Sequence, residues 1–559
     1  MKIPANITER DQFYDDLVKK CTYSQESRAT DYANLRDYYL FGGSNGIGSS
    51  PFNKIYPHID LLTSFLYASE TTKFMVHLGA SVSEHEHSRV PVLSRAVNDK
   101  WLDSNADRVV SHAITWSLVN NSMMVKLIPR VNEKSKKVEI NPFPIHPASF
   151  GVYREDVSFS DRQEAMVHSY YTTKSQLEID IADHPMRDAI LGSIAFNSTQ
   201  LEEEKGDGIG RLMMGAMEPL SQSNPVAGNV EFQFTSNIDY LPDVDQHDLV
   251  TMDELWVWDT DENDYRVVTK IKDGMVVYDR MNFFMKGEHP FIQFCPSPLP
   301  FYYWGMSEVA GLANLQEWYN ERIQQIRKLL NLQVKPPTDA SGFGAMADEK
   351  MYALFAEGGL FNDGGQGIQP GKLQRHPPTL PADLFTVLKQ IDESFAEHSG
   401  LPNTVQGKGE VGVRSGKQTS ELARLGSARI KKRALVIEDA LEKMATLYLK
   451  LMRKYDSTVY QAEDEKQTSF TADQFTDDFV VKVDAHSNSP IFVEDKKELA
   501  FKMLEANMIT RERAIEMIDA PEKEIIKREL KQIEAKEAQQ QQMQMQMEMQ
   551  GKQPKEGQP

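Results

Sequence analysis

The sequence has only two cysteines, Cys21 and Cys295, which lie far apart and form no CxxC pair. This scarcity argues against a disulfide scaffold or a thiolate zinc site, so we interpret both residues as ordinary thiols. The chain also has no apolar run of 18 residues, and its first residues, MKIPANITERDQFYDDL, contain no apolar signal region. We therefore expect a soluble protein, made in the cytoplasm, with no membrane segment.

Basic residues are fewer than acidic residues: the chain has 62 Lys and Arg and 82 Asp and Glu, and its net charge is −20. A chain with this balance repels DNA as a whole, so strong nonspecific binding through a basic patch is not expected. On composition alone, the default interpretation is an acidic soluble protein with no nucleic-acid role. Any DNA contact would depend on a few basic residues placed at chosen points.

A complete nucleotide-binding motif is also missing. The segment GVRSGKQTS resembles a Walker A motif, but only three residues separate Gly412 from Gly416, where a P-loop has four. Gln418 follows Lys417 at the position where a P-loop has the magnesium-binding Ser or Thr. These mismatches argue against an ATP site.

Two acidic or histidine-containing segments are candidate metal sites. DTDENDY resembles a calcium loop, but its sixth position is Asp264 instead of Gly and its twelfth is Lys270 instead of Glu, which favours a hairpin turn. SEHEHS, with His85 and His87, is interpreted as a solvated loop. No Ser/His/Asp set can be assigned. We therefore predict no catalytic residue, no metal site and no cofactor, and hence no enzyme.

The order of patterns predicts an α+β fold that is mainly helical. Residues 1–121 are mainly helical in pattern, whereas MMVKLIPRV, KVEIN and FGVYRED alternate or run apolar between turn residues. Later, ELWVWDT, YRVVTKI and GMVVYDR indicate a meander with turns at DEND and KDG. We interpret Trp256, Trp258, Trp304 and Trp318 as core or subunit-interface residues rather than base-stacking platforms.

Two helices with a small module between them follow. The first is predicted to begin near Ser307, a plausible N-cap, with Glu308 in its first turn, and to stop at Pro336-Pro337. Its apolar face comprises Leu312, Leu315, Tyr319, Ile323, Ile326 and Leu330, and its polar face Glu317, Glu321, Gln324, Lys328 and Asn331. The second helix is predicted to begin near Thr379 and Pro381, with Leu384, Leu388, Ile391 and Phe395 on its apolar face.

A Gly-rich loop at residues 400–416 then leads into a long helix. Ser415 and Gln418 fit a capping box, from which a helix of roughly 38 residues, about 57 Å long, is predicted to run to Tyr455. One apolar stripe follows spacings of four and three: Ile430, Ala434, Ile437, Leu441, Met444, Tyr448, Leu451 and Tyr455.

This order, together with the strings HPFIQF, YYWGMSEVAGLANLQEWYNERIQQI and GLPNTVQGKGEVGVRSGKQTSELARL, resembles the portal proteins of tailed bacteriophages. The resemblance covers residues from about 10 to about 530 and rests on pattern and order more than on an invariant catalytic string. It implies a ring-shaped head-to-tail connector, typically a dodecamer, at one vertex of the capsid, through which double-stranded DNA is packaged and ejected. In such a ring we expect the apolar stripes of the two helices to pack between neighbouring copies and their polar stripes to surround the channel.

The resemblance also implies a division of the chain. The regions would be a wing at 1–304, stem helix 1 at 305–332, a clip at 333–379, stem helix 2 at 380–399, a tunnel loop at 400–416, a long wing helix with a return to the wing at 417–489, and a helical crown at 490–535. The tail at 536–559 is rich in Gln and Met and is interpreted as partly disordered, with a barrel helix as the alternative.

Roles for particular residues follow from the same resemblance. The expected loop residues on the DNA path are Lys408, Glu410, Arg414 and Lys417, and the expected channel-lining stem residues are Glu317, Glu321, Gln324, Arg327 and Lys328. Without the resemblance, solvated surface charges would be the preferred interpretation of both groups. The expected partners are further copies of the chain, double-stranded DNA, the terminase large subunit, head-completion and tail-adaptor proteins, and the major capsid and scaffolding proteins.

Two other classes remain as alternatives. A DNA-processing enzyme, such as a terminase-like ATPase or nuclease, would require a true Walker A motif or a clustered acidic metal site. A capsid-associated scaffold without a channel would be favoured if the two stem helices formed no ring.

Overall fold

The structure is a computed structural model. It describes residues 1–43, 52–67, 72–79, 84–131, 137–157, 163–194, 249–334, 336, 338–339, 360–361, 374–375, 378–379, 381, 383–399, 428–461, 469–476, 478–483, 499–506, 508–511, 514–515, 526 and 530. Within these ranges the chain is a mixture of helices and mainly antiparallel sheets, which agrees with the predicted α+β class.

The N-terminal part is mainly helical, as predicted. Its helices are α1 (Ile7–Cys21), α2 (Gln25–Phe41), α3 (Ile55–Leu66), α4 (Glu84–His87), α5 (Val90–Asp103) and α6 (Ala106–Asn120). Strand β1 (Phe74–Leu78) interrupts them, a departure from the helical expectation. The interpretation of SEHEHS as a loop was also wrong, because its residues 84–87 form the single helical turn α4.

Strand β1 pairs antiparallel with β15 (Phe479–Val483), which lies about four hundred residues later in the chain. Helix side chains close the two outer edges of this ribbon. The Val76 N–H donates to Ser94 Oγ of α5 at 3.0 Å, and the Val483 N–H donates to a Glu442 side-chain oxygen at 3.2 Å. Because these backbone donors are satisfied, the ribbon is held against the helices instead of offering an edge to another strand.

Two larger sheets follow the helices. The first has the order β3-β2-β9, with β2 (Met123–Val131), β3 (Val138–Ile145) and β9 (Phe291–Phe294). The second has the order β4-β5-β6-β7-β8, with β4 (Phe150–Val152), β5 (Ala165–Thr173), β6 (Leu249–Asp259), β7 (Asp264–Ile271) and β8 (Val276–Met281). Helix α7 (Lys174–Asp180) follows β5.

The predicted meander at β6, β7 and β8 is confirmed. Asp259 pairs with Asp264 at the end of the first hairpin, so DTDENDY forms the predicted turn. Asn263 and Asp273 adopt left-handed conformations, with φ of 51° and 53°, in the DEND and KDG turns. Asn and Asp tolerate this conformation better than most residues, which explains their place in tight turns.

The remaining elements are helix α8 (Glu308–Val334), the short strands β10 (Thr338–Asp339), β11 (Leu360–Phe361) and β12 (Gln374–Arg375), helix α9 (Asp383–Ser399), helix α10 (Ala428–Tyr455), and strands β13 (Val459–Gln461) and β14 (Ser469–Thr471). In the described part of the chain, no helix is both long enough and apolar enough to span a bilayer.

Helix α10 lies in the main hydrophobic core. Its predicted stripe is confirmed: seven of the eight residues, from Ile430 to Leu451, are at most 1% exposed, and Tyr455 is half-buried. The described helix has 28 residues. The predicted start near residue 417 and the capping box of Ser415 and Gln418 lie outside the described residues.

The tryptophans divide between core and surface. Trp256 and Trp304 are completely buried and Trp258 is half-buried, which confirms the core interpretation for these three, whereas Trp318 is 59% exposed. The two cysteines are free. Burial raises the pKa of each thiol to about 12, so neither is a reactive thiolate at neutral pH.

Candidate functional site

Helices α8 and α9 form an antiparallel hairpin. The base of the hairpin is the end at which α8 begins and α9 ends. There, Gly311 of α8 packs so closely on His398 of α9 that a Cβ added to Gly311 would lie 2.4 Å from the imidazole Nε2. At the other end, the Gln333 side chain donates a hydrogen bond to the Pro378 carbonyl at 3.1 Å. The 27 residues of α8 make the hairpin about 40 Å long.

A small sheet lies between the two helices in sequence, beyond the end of the hairpin marked by Gln333 and Pro378. Its central strand β10 pairs parallel with β11 and antiparallel with β12. These three strands belong to the predicted clip, and most other residues between 333 and 379 lie outside the described ranges.

The start of α8 is fixed by the cap that the sequence predicts. Ser307 Oγ accepts a hydrogen bond from the Ala310 N–H at 3.2 Å and donates one to the Val119 carbonyl at 2.6 Å. The same hydroxyl therefore caps α8 and ties it to the end of α6. The preceding loop depends on Gly305, whose φ is +71° and whose added Cβ would lie 2.3 Å from the Cys295 sulfur.

Glu308, in the first turn of α8, forms a buried ion pair with Arg433 of α10. The Arg433 Nη2 lies 2.7 Å from Glu308 Oε2, and the Glu308 side chain is only 1% exposed. His58 Nε2 of α3 lies 3.7 Å from the other carboxylate oxygen. Burial opposes ionisation of this carboxyl, but His58 and Arg433 together lower the pKa of Glu308 below its ordinary value. The ion pair therefore links the base of the hairpin to α10.

A second group of contacts holds α8 against the body, by which we mean the helices and sheets outside residues 305–399. Gln316 is completely buried, its Oε1 accepts from the Lys54 N–H at 2.9 Å, and its Nε2 donates to the Phe52 carbonyl at 3.0 Å. One turn later, the Asn320 side chain donates to the Gly42 carbonyl at 2.7 Å. Both amides replace hydrogen bonds that the backbone before α3 would otherwise make with water.

Lys54 extends this anchoring to α9. Its Nζ lies 3.2 Å from Asp392 Oδ1 and 5.1 Å from the centre of the Tyr319 ring. One lysine therefore contacts both helices of the hairpin at the side that faces the body.

The apolar face of α8 is used within the chain. Leu312 and Tyr319 are buried, Leu315, Ile323 and Ile326 are half-buried, and Leu330 is 46% exposed. On α9, Ile391 and Phe395 are buried and Leu384 and Leu388 are half-buried. The expectation that these stripes pack between copies therefore needs correction, because the residues nearest the base already pack against α9 and the body.

The predicted polar residues of the stem are all on the surface. Glu317, Glu321, Gln324, Arg327 and Lys328 are exposed. Glu317 accepts a hydrogen bond from Tyr38, and Glu321 lies 3.6 Å from its neighbour Arg322. The acidic members lie nearer the base of α8 and the basic members nearer its end, about 9 Å apart from Glu321 to Arg327.

The other predicted site residues are not described. Lys408, Glu410, Arg414 and Lys417 lie outside the described residues, as do most of the predicted crown and the Gln/Met-rich tail. In the ranges that the structure does describe, no group of three or more His, Cys, Asp or Glu side chains is placed to hold a metal ion.

Sequence reasoning placed Glu308 in the first turn of α8 but did not predict its ion pair, and it missed Gln316 altogether. Gln316 lies on the apolar side of α8, four residues after Leu312, so a polar residue within an apolar stripe was the available signal. The partners, at positions 52, 54, 58 and 433, could not be found from spacing.

No protein-family model matches the sequence, and no curated protein does. Among solved structures, a chain in the virion of a native gene transfer agent particle matches with a TM-score of 0.37 and 11% identity, covering 83% of this chain and 89% of that chain. A chain in the neck of the empty particle, computed with C6 symmetry, matches with a TM-score of 0.36, 11% identity and coverage of 83% and 90%. A chain in the neck of the native particle, computed with C12 symmetry, matches with a TM-score of 0.33, 10% identity and coverage of 83% and 89%. Likenesses at this level do not identify the function of the chain.

Proposed function

We propose that the chain is a portal protein, a subunit of a homo-oligomeric ring, dodecameric in type, through which double-stranded DNA is packaged into a viral capsid and later ejected. One observation carries the proposal: the α8–α9 hairpin is anchored at its base in an α+β body, has exposed polar residues along its length, and connects to a small sheet beyond its far end. In the proposed ring, the body would be the wing, the hairpin the stem and the small sheet part of the clip.

The charged residues of the hairpin suit a channel through which DNA moves without binding tightly. In the ring, Glu317 and Glu321 would form acidic levels near the body, with Gln324 beyond them, and Arg327 and Lys328 a basic level near the clip. Because each copy carries a net charge of −20, the ring as a whole repels DNA. A small number of exposed basic groups makes weak, salt-sensitive phosphate contacts, which permit sliding.

The proposed partners are those that the resemblance to portal proteins implies. The clip would receive the terminase large subunit during packaging and head-completion or tail-adaptor proteins afterwards, while the body would contact the major capsid and scaffolding proteins. Energy would come from the terminase, so the ring itself needs no catalytic residue and no cofactor. The protein would be made in the cytoplasm of the bacterial host and reside at the portal vertex of the virion.

Electron microscopy of the purified full-length chain tests this function. Closed rings with a central hole are expected. Dispersed monomers that hydrolyse ATP would instead support the DNA-processing enzyme, and assemblies without a hole would support the scaffold.

The predicted tunnel loop gives a separate test. Replacing Lys408, Arg414 and Lys417 together by Ala is expected to leave rings intact and to reduce DNA retention or movement, because three sets of phosphate contacts are lost. The measurement is the amount of nuclease-protected DNA per particle. Lys19→Ala, which removes an exposed basic residue of α1, is the control and is expected to package normally. Unchanged packaging in the triple variant would remove the proposed role of these side chains.

A further inference from the structure

We infer that adjacent hairpins in the ring are joined edge to edge by an ion pair between Glu321 of one copy and Lys389 of the next. The inference rests on the proposed ring and names its partner surface, which is a second copy of this chain. Two surfaces are involved. The α8 edge comprises Glu317, Glu321, Gln324, Arg327 and Lys328, and the α9 edge comprises Asp383, Thr386, Lys389 and Glu393.

Both members of the pair are available to a neighbour. The Glu321 and Lys389 side chains are 61% and 79% exposed. Each has a charged neighbour on its own helix, Arg322 at 3.6 Å from Glu321 and Glu393 at 3.7 Å from Lys389. Exposed pairs of this kind are weak, so they do not prevent either side chain from turning toward a stronger partner.

The two side chains cannot meet within one hairpin but lie at nearly the same height along it. The apolar interior between α8 and α9 separates the edges, with Ile391 and Phe395 buried there. Because Gly311 contacts His398, the two residues lie at the same height, and heights along α8 and α9 are measured from this level. Glu321 is ten residues from this level along α8, about 15 Å, and Lys389 is nine residues from it along α9, about 14 Å.

Ring symmetry then brings opposite charges together. Rotation about the ring axis leaves height unchanged, so hairpins running along the axis present the α8 edge of one copy to the α9 edge of the next at equal heights. Such a contact is heterologous, because each copy uses two different surfaces. Glu321 therefore faces Lys389 of the neighbouring copy at every joint.

One neighbouring level also pairs opposite charges in this register. Arg327 is sixteen residues from the starting level, about 24 Å, and Asp383 is fifteen residues from it, about 23 Å, again with opposite charges. At the height of Glu317 the α9 edge offers Glu393, a like charge, but Glu317 accepts a hydrogen bond from Tyr38 of its own chain, which holds its carboxylate against α2.

Charge reversal tests the joint in the full-length protein. In Glu321→Lys and in Lys389→Glu, every joint loses an attraction and gains a repulsion. One exposed pair changes an equilibrium by only about a few-fold, but a closed ring repeats the change at every joint, so the fraction of protein in rings is expected to fall by about tenfold for each variant. The double variant, Glu321→Lys with Lys389→Glu, restores opposite charges and is expected to form rings again. Ring content is measured by electron microscopy and analytical ultracentrifugation.

A mixing experiment separates pairing from misfolding. The first single variant has lysine on both edges, and the second has glutamate on both. An equal mixture is therefore expected to form rings in which the two variants alternate, although neither forms rings alone. Recovery on mixing also shows that both variants are folded.

The outcomes distinguish the two proposals. Absence of rings in the unaltered protein would overturn the proposed function. Normal rings in the unaltered protein and in both single variants would overturn only the Glu321–Lys389 joint, as would single variants that stay dispersed while neither the double variant nor the mixture recovers. Lys19→Glu, an exposed reversal on α1, controls for net charge and is expected to form rings normally.

Discussion

Glu308→Gln is expected to destabilise the folded chain by about 3–5 kcal/mol, the usual cost of removing one partner from a buried ion pair. The variant keeps the size of the side chain but leaves the Arg433 guanidinium, whose side chain is only 15% exposed, without its carboxylate. Urea denaturation, followed by circular dichroism at neutral pH, measures the change in the free energy of unfolding.

Two further variants show that the cost comes from the unpaired charge. Glu262→Gln, in the exposed turn between β6 and β7, is expected to change the free energy of unfolding by less than about 0.5 kcal/mol. Replacing both partners, Glu308→Met with Arg433→Met, is expected to recover most of the loss, because no uncompensated charge remains in the interior. A single Glu308→Gln variant as stable as the unaltered chain would contradict a structural role for the pair.

The same pair has a consequence for the proposed channel. It connects the first turn of α8 to the helix that follows the Gly-rich loop in sequence, so a displacement of α10 near Arg433 would be transmitted to α8. In Glu308→Gln, hydrogen exchange is therefore expected to accelerate both in the first turns of α8 and in α10 around residue 433. Faster exchange confined to α8 would indicate that the pair anchors the hairpin without coupling it to the long helix.

Local periodicity accounts for the parts of the fold that the sequence predicted well. The stripe from Ile430 to Tyr455 and the cap at Ser307 depend on neighbours within one helix, so spacing and residue type are sufficient to identify them. The β6–β7–β8 meander was predicted for the same reason, because each hairpin pairs strands that are close in sequence and each turn contains residues that tolerate a positive φ.

The parts that were missed depend on distant residues. Strand β1 is five residues long in a helical region, and its partner β15 and its capping side chain Ser94 are fixed only by the tertiary structure. Gln316 shows the same limit, since its burial is explained by backbone groups at positions 52 and 54 and not by its helical neighbours. The apolar stripe of α8 was correctly identified, but whether α9 or a second copy covers it could not be decided from spacing.

Acid is expected to destabilise the body of the protein through His146, which lies at the start of a short helical turn after β3. Burial lowers the pKa of this imidazole from 6.5 to about 3, with further lowering by the charges of Arg36 and Arg28. Its Nδ1 accepts a hydrogen bond from the Ala148 N–H at 3.1 Å, which only the neutral ring can do.

The sign of the effect follows from proton binding. Below pH 6.5 the unfolded chain binds a proton at His146 that the folded chain does not bind until about pH 3, so stability falls as the pH is lowered through this window. The stabilising contribution is fully present above pH 6.5. Each pH unit within the window costs about 1.4 kcal/mol, or about 2 kcal/mol between pH 6 and 4.5.

His146→Asn isolates this contribution, because Asn can accept the Ala148 hydrogen bond as a cap and does not titrate. The variant is expected to lose less stability than the unaltered chain between pH 7 and 4.5, by about 2 to 3 kcal/mol, when unfolding is measured at a series of pH values. Burial also lowers the pKa of His168, so the variant should retain a pH dependence from that residue. His87→Asn, at an exposed position, is the matched control and should follow the unaltered chain. Parallel pH profiles for His146→Asn and the unaltered chain would show that the proton uptake responsible for acid unfolding occurs elsewhere.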